Sequence, residues 1–201
     1  MSNDDQLKVR QTVSKKKSFK ELTIVRDIIF WFDLFGEGQN ENAIFARPFN
    51  EKEALPQKLT SKKYNIKNNF HGYGGKSYKC TYLKNNFYLI WIDQITNAVW
   101  VQIFKEAAST DRSQNKYLVS VQEPNQLSKS IDGNFDSSFV ISEKNLLYGI
   151  CEINDKDYLF SLNLKKTKQD IHIIKKFKNF AGELSSNRSA NLLSWIEWDY
   201  P

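Results

Sequence analysis

From Asn69 to Phe104 the apolar residues come in short, nearly unbroken runs. Phe87-Tyr88-Leu89-Ile90-Trp91-Ile92 leads into a polar turn at Asp93 to Asn97. Ala98-Val99-Trp100-Val101-Gln102-Ile103-Phe104 follows. β-Branched and aromatic residues in runs of this length, broken by Asn, Asp and Gly, predict strands rather than helices. The runs do not alternate apolar with polar, so both faces of these strands are expected to be covered.

The layout recurs along the chain. Ile28-Ile29-Phe30-Trp31-Phe32-Asp33, a polar turn holding Gly36, Gly38, Asn40 and Asn42, and Ala43-Ile44-Phe45-Ala46-Arg47 make an earlier version, closed by Leu55-Pro56-Gln57-Lys58-Leu59-Thr60. The stretch around residue 90 continues through Tyr117-Leu118-Val119-Ser120-Val121 and closes with Pro124-Asn125-Gln126-Leu127-Ser128. Both closings read Pro-x-x-Leu-Ser/Thr. A third version holds Phe139 to Ser142, Leu146 to Ile153, a tight turn at Asn154 to Asp157, Tyr158 to Leu164, and Ile171 to Ile174. A fourth holds Leu192 to Asp199.

Equivalent strands thus fall near 30, 89, 147 and 193, a spacing of about 45 to 60 residues. Units of this size, each with a few short strands and faces that need a neighbour, predict an all-β fold: a partial β-propeller of about four blades. A β-sandwich also uses short strands, but it does not predict the repeated Pro-x-x-Leu-Ser/Thr close. The expected organisation is a basic tail over 1–18 and a partial propeller over 19–201. Its blades are placed at about 19–66, 67–130, 131–177 and 178–201.

Composition narrows the function classes. An apolar fraction of 40% in 201 residues suffices for a sizeable core. Lys plus Arg exceed Asp plus Glu by 29 to 23, and the excess sits in clusters such as Lys15-Lys16-Lys17. A solvated basic surface accounts for this; an acidic partner is the alternative. Neither nucleic acid nor membrane is expected as a partner. Cys80 and Cys151 match no metal-ligand spacing and lie in strand-like runs, so both are expected as buried free thiols. No apolar segment has the form of a signal peptide or a membrane span, and a cytoplasmic location is expected.

Candidate chemistry is sparse. Acyl transfer by serine needs a nucleophile elbow, Gly-x-Ser-x-Gly, and the sequence contains none. Gly75-Lys76-Ser77 lacks the upstream glycine and the helix of a phosphate loop. The glycines of Gly72-Tyr73-Gly74-Gly75 are expected to serve a tight bend or a close backbone approach. His71 stands beside that bend, and His172 stands in a strand, where a structural role is expected. No metal or cofactor site is expected, because two histidines without carboxylates at ligand spacing make no set. Lys175-Lys176-Phe177-Lys178 mixes bases with an aromatic, and a solvated outer strand explains it.

Three segments carry a resemblance. Leu193-Ser194-Trp195-Ile196-Glu197-Trp198-Asp199-Tyr200-Pro201 resembles a blade end in the prolyl oligopeptidase family, of the bacterial dipeptidyl aminopeptidase and acylaminoacyl-peptidase type. Tyr73-Gly74-Gly75 after Leu59-Thr60 is similar to the same group, as is Ile28 to Pro48 with its Arg47-Pro48 close. Ser185 to Asn191 departs from the family, lacking its Ser-Pro-Asp-Gly turn.

The resemblance implies the propeller portion of a serine peptidase acting on short peptides, removing dipeptides or acylated residues. It implies a Ser/Asp/His triad in a C-terminal α/β-hydrolase domain, in cis or as a separate chain, with no catalytic residue in these 201 positions. His71, Tyr73, Trp195 and Trp198 are then expected to line the channel or face the second domain. The alternative is a non-catalytic propeller module that binds a partner.

Overall fold

The computed structural model describes residues 18–34, 42–107, 117–187 and 189–199. The basic tail, the glycines of the first polar turn, and Tyr200-Pro201 lie outside the described residues. The described chain forms two compact units, one holding residues 18–34, 42–65 and Tyr117, the other holding 66–107 and everything from Leu118 onward.

The first unit is one antiparallel sheet of four strands in chain order: β1 (Ser18–Val25), β2 (Ile28–Leu34), β3 (Ala43–Pro48) and β4 (Gln57–Lys58). Phe30, Trp31, Phe32, Ile44 and Ala46 are buried in it.

The second unit holds three sheets. The first has β5 (Tyr78–Leu83), β6 (Asn86–Asp93), β7 (Ala98–Glu106) and β8 (Leu118–Ser120) in order, and β9 (Asn125–Gln126) also pairs with β7. In the next, β12 (Leu146–Ile153), β13 (Lys156–Asn163) and β14 (His172–Lys176) run in order. Two short pieces, β10 (Gly133–Phe135) and β11 (Val140–Ile141), share the near side of β12. The last sheet pairs β15 (Phe180–Ser186) with β16 (Leu193–Trp198).

These four antiparallel sheets are blade-like, and the fold is an all-β partial propeller. β2, β6, β12 and β16 each hold the second place in their sheet, as the spacing of the sequence pattern requires. β12 and β13 show why the apolar runs are unbroken. Leu147, Cys151, Phe160 and Leu162 pack with Tyr88, Ile90, Val99 and Leu127 of the preceding sheet. Ile150 and Leu159, on the other face, pack with Phe177, Ala181 and Leu184. A strand buried on both faces needs apolar residues at every position.

The repeated Pro-x-x-Leu-Ser/Thr segments are hydrogen-bonded latches. Leu59 N–H donates to the Ile44 carbonyl at 2.8 Å, and Ile44 N–H donates to Thr60 Oγ1 at 3.0 Å. Leu127 and Ser128 treat Val99 in the same way, at 2.8 and 2.9 Å. In the third sheet Phe177 N–H donates to the Asp157 carbonyl at 2.9 Å. Asp157 therefore stands where the first two sheets carry the fully buried Ile44 and Val99.

β1 and β15, which open their sheets, were not read as strands, and β5 was marked only as a strand-like run around Cys80. Each carries several polar residues, as in Lys20-Glu21 and Gly182-Glu183, and only the mate on one side reveals it. The run Ile28 to Asp33 is β2, and a turn at Arg26-Asp27 joins it to β1. His172 lies on β14, which is exposed along its length rather than packed in an apolar strand. The lysines there form the expected solvated outer strand, with Lys175 Nζ over the Phe177 and Trp195 rings.

Candidate functional site

The segment before β5 cannot continue as a strand. Asn68 Oδ1 accepts the Phe70 N–H at 2.7 Å, and its amide donates to the Lys76 carbonyl at 2.9 Å. This closes Asn69 to Gly75 into a loop with a short 3-10 turn at Phe70–Gly72. Gly74 has φ +74°, and a Cβ there would stand 2.9 Å from the Asn68 carbonyl oxygen. The expected bend and close approach are both present, and glycine is required for them.

His71 sits in that turn with φ +51°, a left-handed conformation that costs a non-glycine residue energy. The loop holds it there. Its N–H donates to Glu152 Oε2 at 3.2 Å, and its Nε2 lies 3.0 and 2.9 Å from the two carboxylate oxygens of Asp157. A carboxylate only accepts, so Nε2 carries the proton. Both side chains are nearly buried, at 9% and 2% exposure. Asp157 Oδ2 also accepts the Ala181 N–H at 2.6 Å. One carboxylate thereby joins the loop before β5, the β12–β13 hairpin and the start of β15. The imidazole stacks on Phe70 and takes edge contacts from Phe180 and Trp198. Gly182 lies under Trp198, where a Cβ would come within 3.3 Å of the indole.

A cleft of about 690 Å³ opens over this arrangement. All four residues singled out from the sequence, His71, Tyr73, Trp195 and Trp198, line it. Tyr73 is 91% exposed. Asp136 and Ser138, which also line the cleft, occupy the interruption between β10 and β11. The Ser138 hydroxyl donates to Asp136, and Ser138 Oγ accepts the Leu184 N–H at 2.9 Å. Glu183 joins the lining from a β-bulge in β15, at φ +53°. Burial, chiefly, raises the Asp136 pKa; the Ser138 hydrogen bonds oppose this and the Glu183 charge adds to it.

Asp136, Ser138, Asp157 and Glu183 were missed in the sequence. Asp157 carried a readable signal, a carboxylate at a position that is apolar in the two earlier hairpins. The others depend on an interrupted strand and a bulge, which leave no periodic trace.

Three serine hydroxyls of the cleft are engaged: Ser138 with Asp136 and Leu184, and Ser185 with Ser194 at 2.8 Å. The His71 Nε2 is held by Asp157. Among the described residues no group of three or more His, Cys, Asp or Glu side chains is placed to hold a metal ion.

No protein-family model matches the sequence, and no curated protein is significantly similar to it. Solved structures share the fold. A puromycin-hydrolysing peptidase of Mycobacterium tuberculosis superposes on 93% of the chain with a TM-score of 0.67 at 12% identity. A puromycin hydrolase superposes on 94% with a TM-score of 0.69 at 14% identity. The chain spans 28% and 29% of their lengths. The fold expected from the resemblance to prolyl oligopeptidase-type enzymes is thus the fold found: the chain resembles a portion of propeller-containing peptidases.

Proposed function

We propose that this chain is the propeller portion of a serine peptidase, admitting and orienting short peptides for a hydrolase domain that supplies the Ser/Asp/His triad in cis or as a separate chain. Its products would be dipeptides or acylated residues. The observation that carries the reading is the fold match over 93% of the chain to a part of a puromycin-hydrolysing peptidase. The cleft supports it: aromatic faces at Trp195 and Trp198, an imidazole and two carboxylates offer contacts to a peptide. His71, Tyr73, Trp195 and Trp198 would line the peptide path or meet the hydrolase domain.

The test is purified chain against aminoacyl- and acylaminoacyl-nitroanilides with a fluorophosphonate probe, with and without an α/β-hydrolase protein encoded beside it. No turnover alone, and turnover with a labelled serine on the added protein, is expected. Turnover by the chain alone, with labelling inside it, would refute the reading. Peptide binding without any gain on adding the hydrolase would favour the non-catalytic module.

A further inference from the structure

We propose that a cavity between the sheet of β6 and β7 and the sheet of β12 and β13 binds a small carboxylate with an apolar body. The cavity measures about 680 Å³ and shares no lining residue with the cleft over His71. That volume falls in the range of small-molecule sites. Its apolar lining is Tyr88 on β6, Ile103 opposite it on β7, and Leu164 just past the end of β13. Ile103 and Leu164 pack on the same core cluster that holds the Tyr88 ring.

Tyr88 carries the inference. It is only 7% exposed. Its hydroxyl makes no hydrogen bond to any described residue, and it is not among the polar atoms sealed away from solvent. The hydroxyl therefore opens into the cavity that Tyr88 lines. A polar group so deeply placed is normally satisfied, and here the partner has to come from the cavity. Burial raises the Tyr88 pKa, so the phenol keeps its proton and can donate it.

Charge selects the acceptor. Lys165 lines the cavity and forms no ion pair with a described residue. Lys84 Nζ stands at the edge, 3.5 Å from Oδ1 of the lining residue Asn145. Against these two ammonium groups the lining has one carboxylate, Glu123. A phenol proton and a nearby ammonium suit an anionic oxygen head group. Arginine, the usual fork for phosphate, does not line the cavity, so a singly charged carboxylate fits better.

The walls are already fixed. Val121 N–H donates to the Ile103 carbonyl at 2.8 Å. Asn125 Nδ2 donates to the Lys166 carbonyl at 3.1 Å, and Lys168 N–H donates to the Gln126 carbonyl at 2.8 Å. These bonds tie the 121–126 segment to both sheets, so little ordering is left for a ligand to cost. The inference does not depend on the peptidase reading.

The full chain, labelled with nitrogen-15, is titrated with phenylpropionate and followed by amide chemical shifts. Phenylpropanol and phenylpropylamine serve as the neutral and cationic counterparts. The acid is expected to bind saturably, with shifts confined to the segments around Tyr88, Ile103, Asn125, Asn145 and Lys165. The alcohol and the amine should bind about ten-fold more weakly or worse. Tyr88→Phe and Lys165→Gln should each weaken the acid by about ten-fold, as loss of a hydrogen bond to a charged group does. Glu123→Gln should not weaken it. Tyr88→Phe should unfold at the parent temperature or above, because the lost hydroxyl has no partner in the chain. N-acetyl-alanyl-phenylalanine then separates two sources: tighter binding than phenylpropionate assigns the site to peptide C-termini, and weaker binding to free acids. Equal binding of the three probes, preference for the amine, shifts centred elsewhere, or no saturable binding in the millimolar range overturns the proposal.

Discussion

His71 Nε2 lies 2.9 Å from Asp157 Oδ2, although 86 residues separate the two in sequence. The pair is sealed under Phe70, Phe180 and Trp198, and the same carboxylate takes the Ala181 N–H. Leaving a buried donor without its acceptor costs about 1–3 kcal/mol. Asp157→Ala strands both the imidazole and a backbone N–H and should lose about that much. His71→Ala leaves the Asp157 carboxylate its Ala181 contact and should lose less; the φ of +51° stays as unfavourable for alanine as for histidine. Urea midpoints of the two variants check the order; an Asp157→Ala midpoint equal to the parent would contradict it.

Asp136 sets a pH dependence of defined sign. Its pKa is raised from the ordinary 3.8 in the folded chain, burial being the largest cause. The folded state therefore holds that proton to higher pH than the unfolded chain does. Ionised Asp136 costs stability at neutral pH, and the cost is relieved as pH falls through the raised pKa toward 3.8. Asp136→Asn keeps an acceptor for Ser138 without the charge. It should raise the melting temperature at neutral pH and remove this rise on mild acidification. Thermal unfolding across a pH series of both proteins is the measurement.

The latch residues make a matched pair of tests. Thr60→Val and Ser128→Ala each remove the acceptor for a buried backbone N–H, of Ile44 and Val99 respectively. Each should cost about 1–3 kcal/mol. Thr60→Ser retains the oxygen and should recover most of the loss. Equal denaturation midpoints for Thr60→Val and Thr60→Ser would show that the hydroxyl contributes nothing.

Both thiols should be silent in the folded chain. Cys80 and Cys151 are free and buried. Burial raises both pKa values, that of Cys151 to about 12. The thiolate is the reactive form. A thiol reagent at mildly alkaline pH should label them only as fast as the second unit opens, and at once in urea. Rapid stoichiometric labelling without denaturant would show that the core around Cys151 is not closed.

The periodic features of this protein were determined by the sequence alone. Strands buried on both faces need apolar side chains at every position, so β2, β6, β12 and β13 are written as unbroken runs. The Leu-Ser/Thr close marks a pair of hydrogen bonds that the first two blades both make, and it too repeats. Glycine at 74 is required by a local close approach, and the bend is legible from a few residues. The cleft over His71 belongs to tertiary structure. Its carboxylates come from a hairpin, an interrupted strand and a bulge, brought to the 70–75 loop only when three sheets pack together. Asp136, Asp157 and Glu183 each occur once, at positions where a local rule is broken. A pattern can announce what repeats along the chain; a contact made once between distant segments exists only after the chain has folded.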